Sequence, residues 1–295
     1  MTAAGELGFP EGSYTAMKLE LGSLQSVRDF VANLKAFKTA RPLNHLICNA
    51  AVYKPTDPEP AWTDDGFEMT MGVNHLGHFL LCNLLLEDMS RAKNARLCIV
   101  GSVTGNTNTI GGGLVYPRAD LGDLQGFDRG GTNPVAMADG AAFFGAKAYK
   151  DSKVCNMMTL SELHGRYHDD TGIVFSSLYP GCVAETNLFR EKRPWFQKAF
   201  PWFMKYVTKA YVSETEAGER VAQVISDDRT GVSGKYWSWS GAEGSGGAGG
   251  DIYENEQSAA VRDAATSTKM WELSKTLVGL TEADMCKNGK LENFL

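Results

Sequence analysis

The sequence predicts an α/β fold in which a parallel sheet carries helices on both faces. Three observations predict it. Short apolar runs alternate with longer segments whose apolar residues recur at helical spacing, the pattern of β-α-β units joined by right-handed crossovers. One run, His45-Leu46-Ile47-Cys48, is continuously apolar rather than alternating, as a parallel strand buried on both faces requires. A chain of 295 residues with 43% hydrophobic content and 32 glycines can bury a sizeable core, which we expect as one domain over residues 1–295.

Each element has its own reason. Tyr14 to Leu21 is a short strand candidate. Ser23 then caps a helix whose apolar positions Leu24, Val27, Phe30, Val31 and Leu34 fall on one face. Pro42 ends that connection before the run His45 to Cys48. A helix from about Asp65 to Ser90, a strand Arg96 to Val100, a helix from about Lys147 to His168 and a strand Ile173 to Leu178 continue the alternation. An aromatic-rich segment, Phe189 to Tyr206, lies within a lid expected at about residues 186–210; packing on the core is the equally supported alternative. Ser213 and Glu216 form a capping box for a helix to Ile225, and Lys235 to Ser240 is an aromatic-rich strand. Residues 241–250 read as a flexible Gly/Ser linker, and Ser258 to Leu280 as a terminal helix.

Composition excludes several functions. A net charge of −6 with no Lys/Arg cluster argues against a nucleic-acid partner. Six cysteines without C-x-x-C spacing suggest neither a disulfide framework nor a zinc site, so no metal is expected and a reducing compartment is the simpler reading. The longest apolar stretch, Val73 to Leu86, is interrupted by His75, His78 and Asn83, and reads as a buried helix rather than a membrane span. Met1 to Tyr14 has neither a signal core nor the Arg-rich amphipathic character of a transit peptide.

In an α/β sheet of this kind ligands bind beyond the carboxyl ends of the strands, so sites are expected just after Cys48, Val100 and Leu178. Polar groups stand at all three: Asn49-Ala50-Ala51, Gly101-Ser102 and Tyr179-Pro180-Gly181-Cys182, with Asn74 on the helix between the first two. Tyr149 and Lys153, one helical turn apart, share a face. An ammonium beside a phenol favours the phenolate and lowers a pKa otherwise near 10, which makes Tyr149 a candidate proton donor. Any one of these is weak, but the joint order N-A-A, N-x-x-G, G-S, Y-x-x-x-K, P-G is not.

That order resembles the short-chain dehydrogenase/reductase superfamily, whose Rossmann-type fold uses a nicotinamide dinucleotide. The resemblance implies that Tyr149 donates a proton, that Lys153 lowers its pKa and contacts the nicotinamide ribose, and that Ser102 orients the reacting group. It further implies that Asn74 anchors a water in a proton relay, that Asn49 stabilises the central strand beside Ala50, that Glu20 contacts adenine, and that Pro180 and Gly181 line the cofactor.

A longer insertion than the superfamily usually carries separates Ser102 from Tyr149. Together with Gly101 to Thr109, Tyr149 to Met157, Ser177 to Cys182 and Tyr236-Trp237-Ser238-Trp239, it resembles the light-dependent protochlorophyllide oxidoreductase family. This likeness implies NADPH as cofactor, protochlorophyllide as the small-molecule partner, a plastid location with peripheral membrane association and self-association as open expectations, and Cys182 as an active-site cysteine. Tyr149 and Cys182 both stand as proton donors. The chain departs from the family in having no T-G-x-x-x-G-x-G turn, whose glycines admit a pyrophosphate to a helix N-terminus. We therefore expect either that upstream exons, with any transit peptide, are missing from this sequence, the favoured reading, or that it is a truncated, catalytically inactive pigment-binding paralogue. If these 295 residues are all there is, a sheet edge that is normally paired should lie exposed. Glu185 occupies the place of the superfamily's carboxamide-binding threonine, with Thr186 beside it.

Overall fold

A computed structural model describes residues 7–10, 12–130, 136–184, 202, 204–206, 210–241 and 247–287. Most of the expected lid, with Glu185 and Thr186, lies outside the described residues.

The sheet has five strands among the described residues, in the order β1 (His45–Cys48), β2 (Arg96–Val100), β3 (Val174–Leu178), β4 (Lys235–Trp239) and β5 (Ile252–Glu254). The first three pairings are parallel and the last is antiparallel. Register Cys48↔Ile99 and Val100↔Leu178 brings the carboxyl ends of β1, β2 and β3 side by side, as the sequence order requires. The helices are α1 (Leu24–Lys38), α2 (Met69–Met71), α3 (His78–Met89), α4 (Gln125–Asp128), α5 (Gly145–Thr171), α6 (Glu214–Ser226), α7 (Ala259–Arg262) and α8 (Ala264–Leu277). Ser23 caps α1 through the amide of Ser26, and Ser213 caps α6 through that of Glu216, as their positions in the sequence suggest.

Three expectations are corrected. Tyr14 to Leu21 forms no strand: no neighbour offers it a ladder, and a strand without a partner leaves its amides to water. The long helix expected from Asp65 starts at Met69 and passes through a π-helical segment, Gly72–Gly77, before α3. The terminal helix is broken at Asp263, whose extended backbone ends α7 while its carboxylate accepts from the amides of Ala265 and Thr266 to start α8. Of the expected linker at 241–250, residues 241 and 247–250 are described; the segment joins β4 to β5, a strand too short to be read from sequence, and the carbonyls of Gly247 and Gly249 accept from Arg220.

Among the described residues strand β1 ends the sheet, and Ile47 on it is 38% exposed. The largest core cluster packs α1, α3 and α5 on this half of the sheet and is closed by Trp271 of α8, whose ring meets Phe79 edge-on at 4.8 Å. Among the described residues no helix is long and apolar enough to cross a membrane.

His75 and His78, buried beside this core, are held neutral. Burial lowers His75 to about 3 and His78 to about 4. The unfolded chain takes up these protons from near pH 6.5 downward while the folded chain does not, so their contribution is complete above 6.5 and is lost as pH falls towards the folded values. Each proton contributes a slope of about 1.4 kcal/mol per pH unit in that window. His75→Gln, whose amide can still reach the Ser274 hydroxyl that lies 2.8 Å from the His75 ring, should therefore show a shallower loss of stability between pH 6 and 4. Denaturant titrations of both proteins across that range measure the difference; parallel slopes would contradict it.

Candidate active site

The site is assembled where the three parallel strands end. Ser102 follows β2 and accepts from the amide of Thr104, while its hydroxyl lies 2.8 Å from that of Thr104. The same serine faces the phenol of Tyr149, which projects from the first turns of α5, and favours its ionised form against the effect of burial. Lys153, one turn on, donates to the Val100 carbonyl at 3.0 Å, and its ammonium lies 5.7 Å from the centre of the Tyr149 ring. The Tyr–Lys pair thus shares a face and meets the serine as expected.

Its electrostatics differ from the expectation. Burial pushes Tyr149 up to about 12 and Lys153 down to about 8, so desolvation outweighs any help the ammonium gives the phenolate. The reason is geometric: Lys153 spends its hydrogen bond on a strand carbonyl rather than on the phenol. Cys182 is half-buried, and burial raises its thiol to about 11. Phenol and thiol are therefore both protonated at neutral pH.

Asn74 lies in the π-helical segment, a distortion often found at functional sites. Its amide accepts from the Val52 amide at 2.8 Å and donates to the Val52 carbonyl and to Ser152 Oγ at 3.0 and 3.1 Å. It ties the loop after β1 to α5. Pro180 and Gly181 turn the chain after β3, and Cys182 follows them, bridged to Tyr211. Three predicted positions stay apart from this cluster. Glu20 is exposed and accepts from the amide of Gly22, in a segment that is not a strand. Asn49 and Ala50 are exposed at the end of β1, and among the described residues Asn49 makes no side-chain hydrogen bond. Among the described residues β1, which Asn49 follows, lies at the edge of the sheet.

Sequence reasoning missed several neighbours. Tyr53 stacks obliquely on Tyr149 with ring centres 4.7 Å apart; it lies on the loop after β1, where the strand-end rule already pointed. The residues between Tyr149 and Lys153 are buried anchors. Lys150 donates to the carbonyls of Gly111 and Val115 at 3.0 and 2.7 Å. Asp151 accepts from the Asp120 amide at 2.9 Å and pairs with Lys147 at 2.7 Å, while Lys147 also meets Asp139 at 2.9 Å. Burial raises Asp151 to about 7 against the pull of Lys147. Apart from the Lys147–Asp151 pair, which lies within α5, these bonds land on the insertion, so the filling of the Y-x-x-x-K motif helps dock the insertion on the catalytic helix. Gly105, at the insertion's start, shows how close the docking is: a Cβ there would lie 2.9 Å from Cβ of Lys153.

The described residues fit half of a dinucleotide. Lys153 is 3% exposed and, among the described residues, its ammonium uses one of its three donors, which leaves donors for a ribose between the ends of β1 and β2. Among the described residues nothing comparable serves the phosphates. The N-terminus of α1 is filled by the chain's own acid: Asp65 accepts from the Leu24 amide at 2.7 Å.

Parallel strand ends carrying a serine, a tyrosine and a lysine one turn beyond it define a reductase of the short-chain dehydrogenase class, and the short chain dehydrogenase profile matches residues 2–118. Solved structures share the fold. The 3-alpha-hydroxysteroid dehydrogenase of Pseudomonas sp. B-0831, complexed with NADH, superposes with a TM-score of 0.56 at 19% identity, over 75% of this chain and 80% of that one. The NADPH-bound carbonyl reductase from chicken fatty liver gives 0.53 at 18%, over 79% and 77%. Within the class the chain belongs to the protochlorophyllide reductase family. It is 55% identical over 281 residues to the chloroplastic enzyme of Chlamydomonas reinhardtii, covering 95% of this chain and 68% of that protein. It is 54% identical over 282 residues to the chloroplastic enzyme B of Hordeum vulgare, covering 94% and 69%.

Proposed function

We propose that the protein reduces protochlorophyllide to chlorophyllide with NADPH in the chloroplast, in a reaction started by light that the pigment absorbs. The observation that carries this reading is the joining of the Ser102–Tyr149–Lys153 cluster to family-level identity along nearly the whole chain. NADPH, when bound, supplies the hydride for C17 of the pigment. Lys153 would hold the nicotinamide ribose with its remaining donors, and Tyr149 would deliver the proton for C18. Tyr149 is favoured over Cys182 because its phenol faces Ser102, whose hydroxyl lies 2.8 Å from that of Thr104, so hydroxyls that can resupply the proton stand beside it. Tyr53 and Tyr179 would wall the pigment side and keep water from it; burial raises both phenols, so neither adds charge there.

A second reading is a pigment-binding protein without reductase activity. One experiment separates the two. The full gene product is mixed with protochlorophyllide and NADPH and illuminated. The expected result is the red shift of the pigment to chlorophyllide, together with NADPH-dependent thermal stabilisation in the dark. Pigment binding with neither response supports the second reading.

A further inference from the structure

Arg220 is a buried cation that the chemistry above does not use. It lies on α6, is 3% exposed, and its guanidinium is surrounded almost entirely by backbone. Nη1 donates to the Pro180 carbonyl at 2.8 Å. Nη2 donates to the carbonyls of Gly247 and Gly249 at 2.7 and 3.0 Å and to Glu216 Oε1 at 2.8 Å. Glu216 closes the ring by accepting from the Gly249 amide at 2.7 Å, and the indole of Trp239 lies under the guanidinium at 5.1 Å. Two further bonds run in parallel: the Val212 amide reaches the Cys182 carbonyl at 3.1 Å, and the Ala248 amide reaches the Tyr211 carbonyl at 3.0 Å. The turn bearing Cys182, the strand segment Tyr211–Val212 and the glycine-rich segment 247–249 are thus stacked as three layers, and Arg220 bolts the first to the third.

We propose that Arg220, oriented by Glu216, is a positioning residue that fixes the Pro180–Gly181–Cys182 turn, and that the glycine-rich segment supplies the fixed end of this clamp. The reading of Cys182 as part of the pigment site rests on the proposed function; the clamp itself does not. Geometry gives three reasons. The turn has no slack: Gly181 has φ +110°, and a Cβ there would meet Val212 Cγ2 at 2.2 Å and Arg220 Nη1 at 3.0 Å, so the arginine is seated directly against the bend. Only a planar fork can serve acceptors on both sides at once; a lysine ammonium has the charge but not the reach. The acceptors are main-chain carbonyls of glycines, which need no side chain at those positions, and this gives the segment a role beyond that of a spacer.

A readout independent of turnover follows from exposure. Of the six free cysteines, five are buried and Cys182 alone is half-buried, so the rate of thiol modification under native conditions reports on this turn. Arg220→Gln should raise the rate of Cys182 labelling by a small maleimide about tenfold, because local opening of the turn exposes the thiol. Cys182→Ala in the same background assigns the signal. In light-driven assays the variant should lose kcat by about tenfold or more while retaining dark pigment affinity, since misplacing a group near the reacting centre costs rate more than binding. Arg220→Lys should restore part of both. If Arg220→Gln does not fold, Glu216→Gln tests the same clamp from its partly exposed member and should shift labelling in the same direction, by less. Labelling that is unchanged in folded Arg220→Gln, or in Glu216→Gln where the first is unobtainable, overturns the proposal. Faster labelling with full turnover in Cys182→Ala leaves the clamp standing and removes Cys182 from the pigment site instead.

Discussion

Replacing Tyr149 with Phe is expected to lower light-driven turnover by about 10²–10⁴-fold, the usual worth of a positioned proton donor. Dark binding of the pigment should change little. The ring that packs on Tyr53 at 4.7 Å remains, and only the hydroxyl that meets Ser102 is lost. The loss should fall on kcat rather than KM, since the phenol acts when the proton moves and not when the pigment docks. A neighbouring substitution sharpens the result. Cys182→Ala removes the other protonated group at the site, so the donor is whichever residue carries the larger kcat loss. Turnover within a few-fold of the parent for Tyr149→Phe would end its assignment as donor and transfer the role to Cys182. The high phenol pKa, about 12, does not count against donation: a donor must hold its proton at neutral pH. What the raised value requires is that the anion left behind be stabilised, and Lys153, 5.7 Å from the ring, is the cation placed to do so.

Much of this site was legible because its members sit where chain topology alone must put them. Ser102 follows a buried strand, and Tyr149 and Lys153 lie one turn apart on the next long helix; parallel pairing then leaves them no other meeting place. Cys182 follows β3 for the same reason. The failures have physical causes of other kinds. The apolar pattern of Tyr14 to Leu21 suits a strand, but pairing needs a neighbour, which a pattern cannot reveal. Strand β5 spans three residues, below what periodicity can register. The electrostatic expectation for Tyr149 failed because a helical spacing fixes which face two side chains share, not which acceptor the ammonium prefers. Arg220 was invisible because its partners are mostly carbonyls, and a backbone acceptor leaves no mark on sequence.

The strongest case of a motif whose spacing was read but whose filling was not is Asp151. Its carboxylate is fully buried, with Lys147 at 2.7 Å and the Asp120 amide at 2.9 Å. Asp151→Ala should cost about 3 kcal/mol, the low end of the range for breaking a buried ion pair, because Lys147 keeps Asp139 at 2.9 Å and is not left wholly unpaired. The cost should be smaller above pH 7 than at low pH. Burial raises this carboxyl to about 7 from an unfolded value near 3.8, so the folded chain holds the proton more tightly, and the stabilisation that the substitution removes declines as pH rises through that window. Asp151→Asn keeps an acceptor for the Asp120 amide and should recover part of the loss. Lys150→Met, by contrast, strips a hydrogen bond from the Val115 carbonyl, whose residue is 52% exposed, so water can replace the donor and the cost should stay near 1 kcal/mol. Denaturant titrations at pH 8 rank the three, and a Lys150 effect exceeding that of Asp151 would refute the ordering. The same ranking should appear in turnover at temperatures where all three stay folded. The insertion reaches the reacting groups through Gly105 against Lys153, so loosening its anchor moves the lysine that the phenolate depends on.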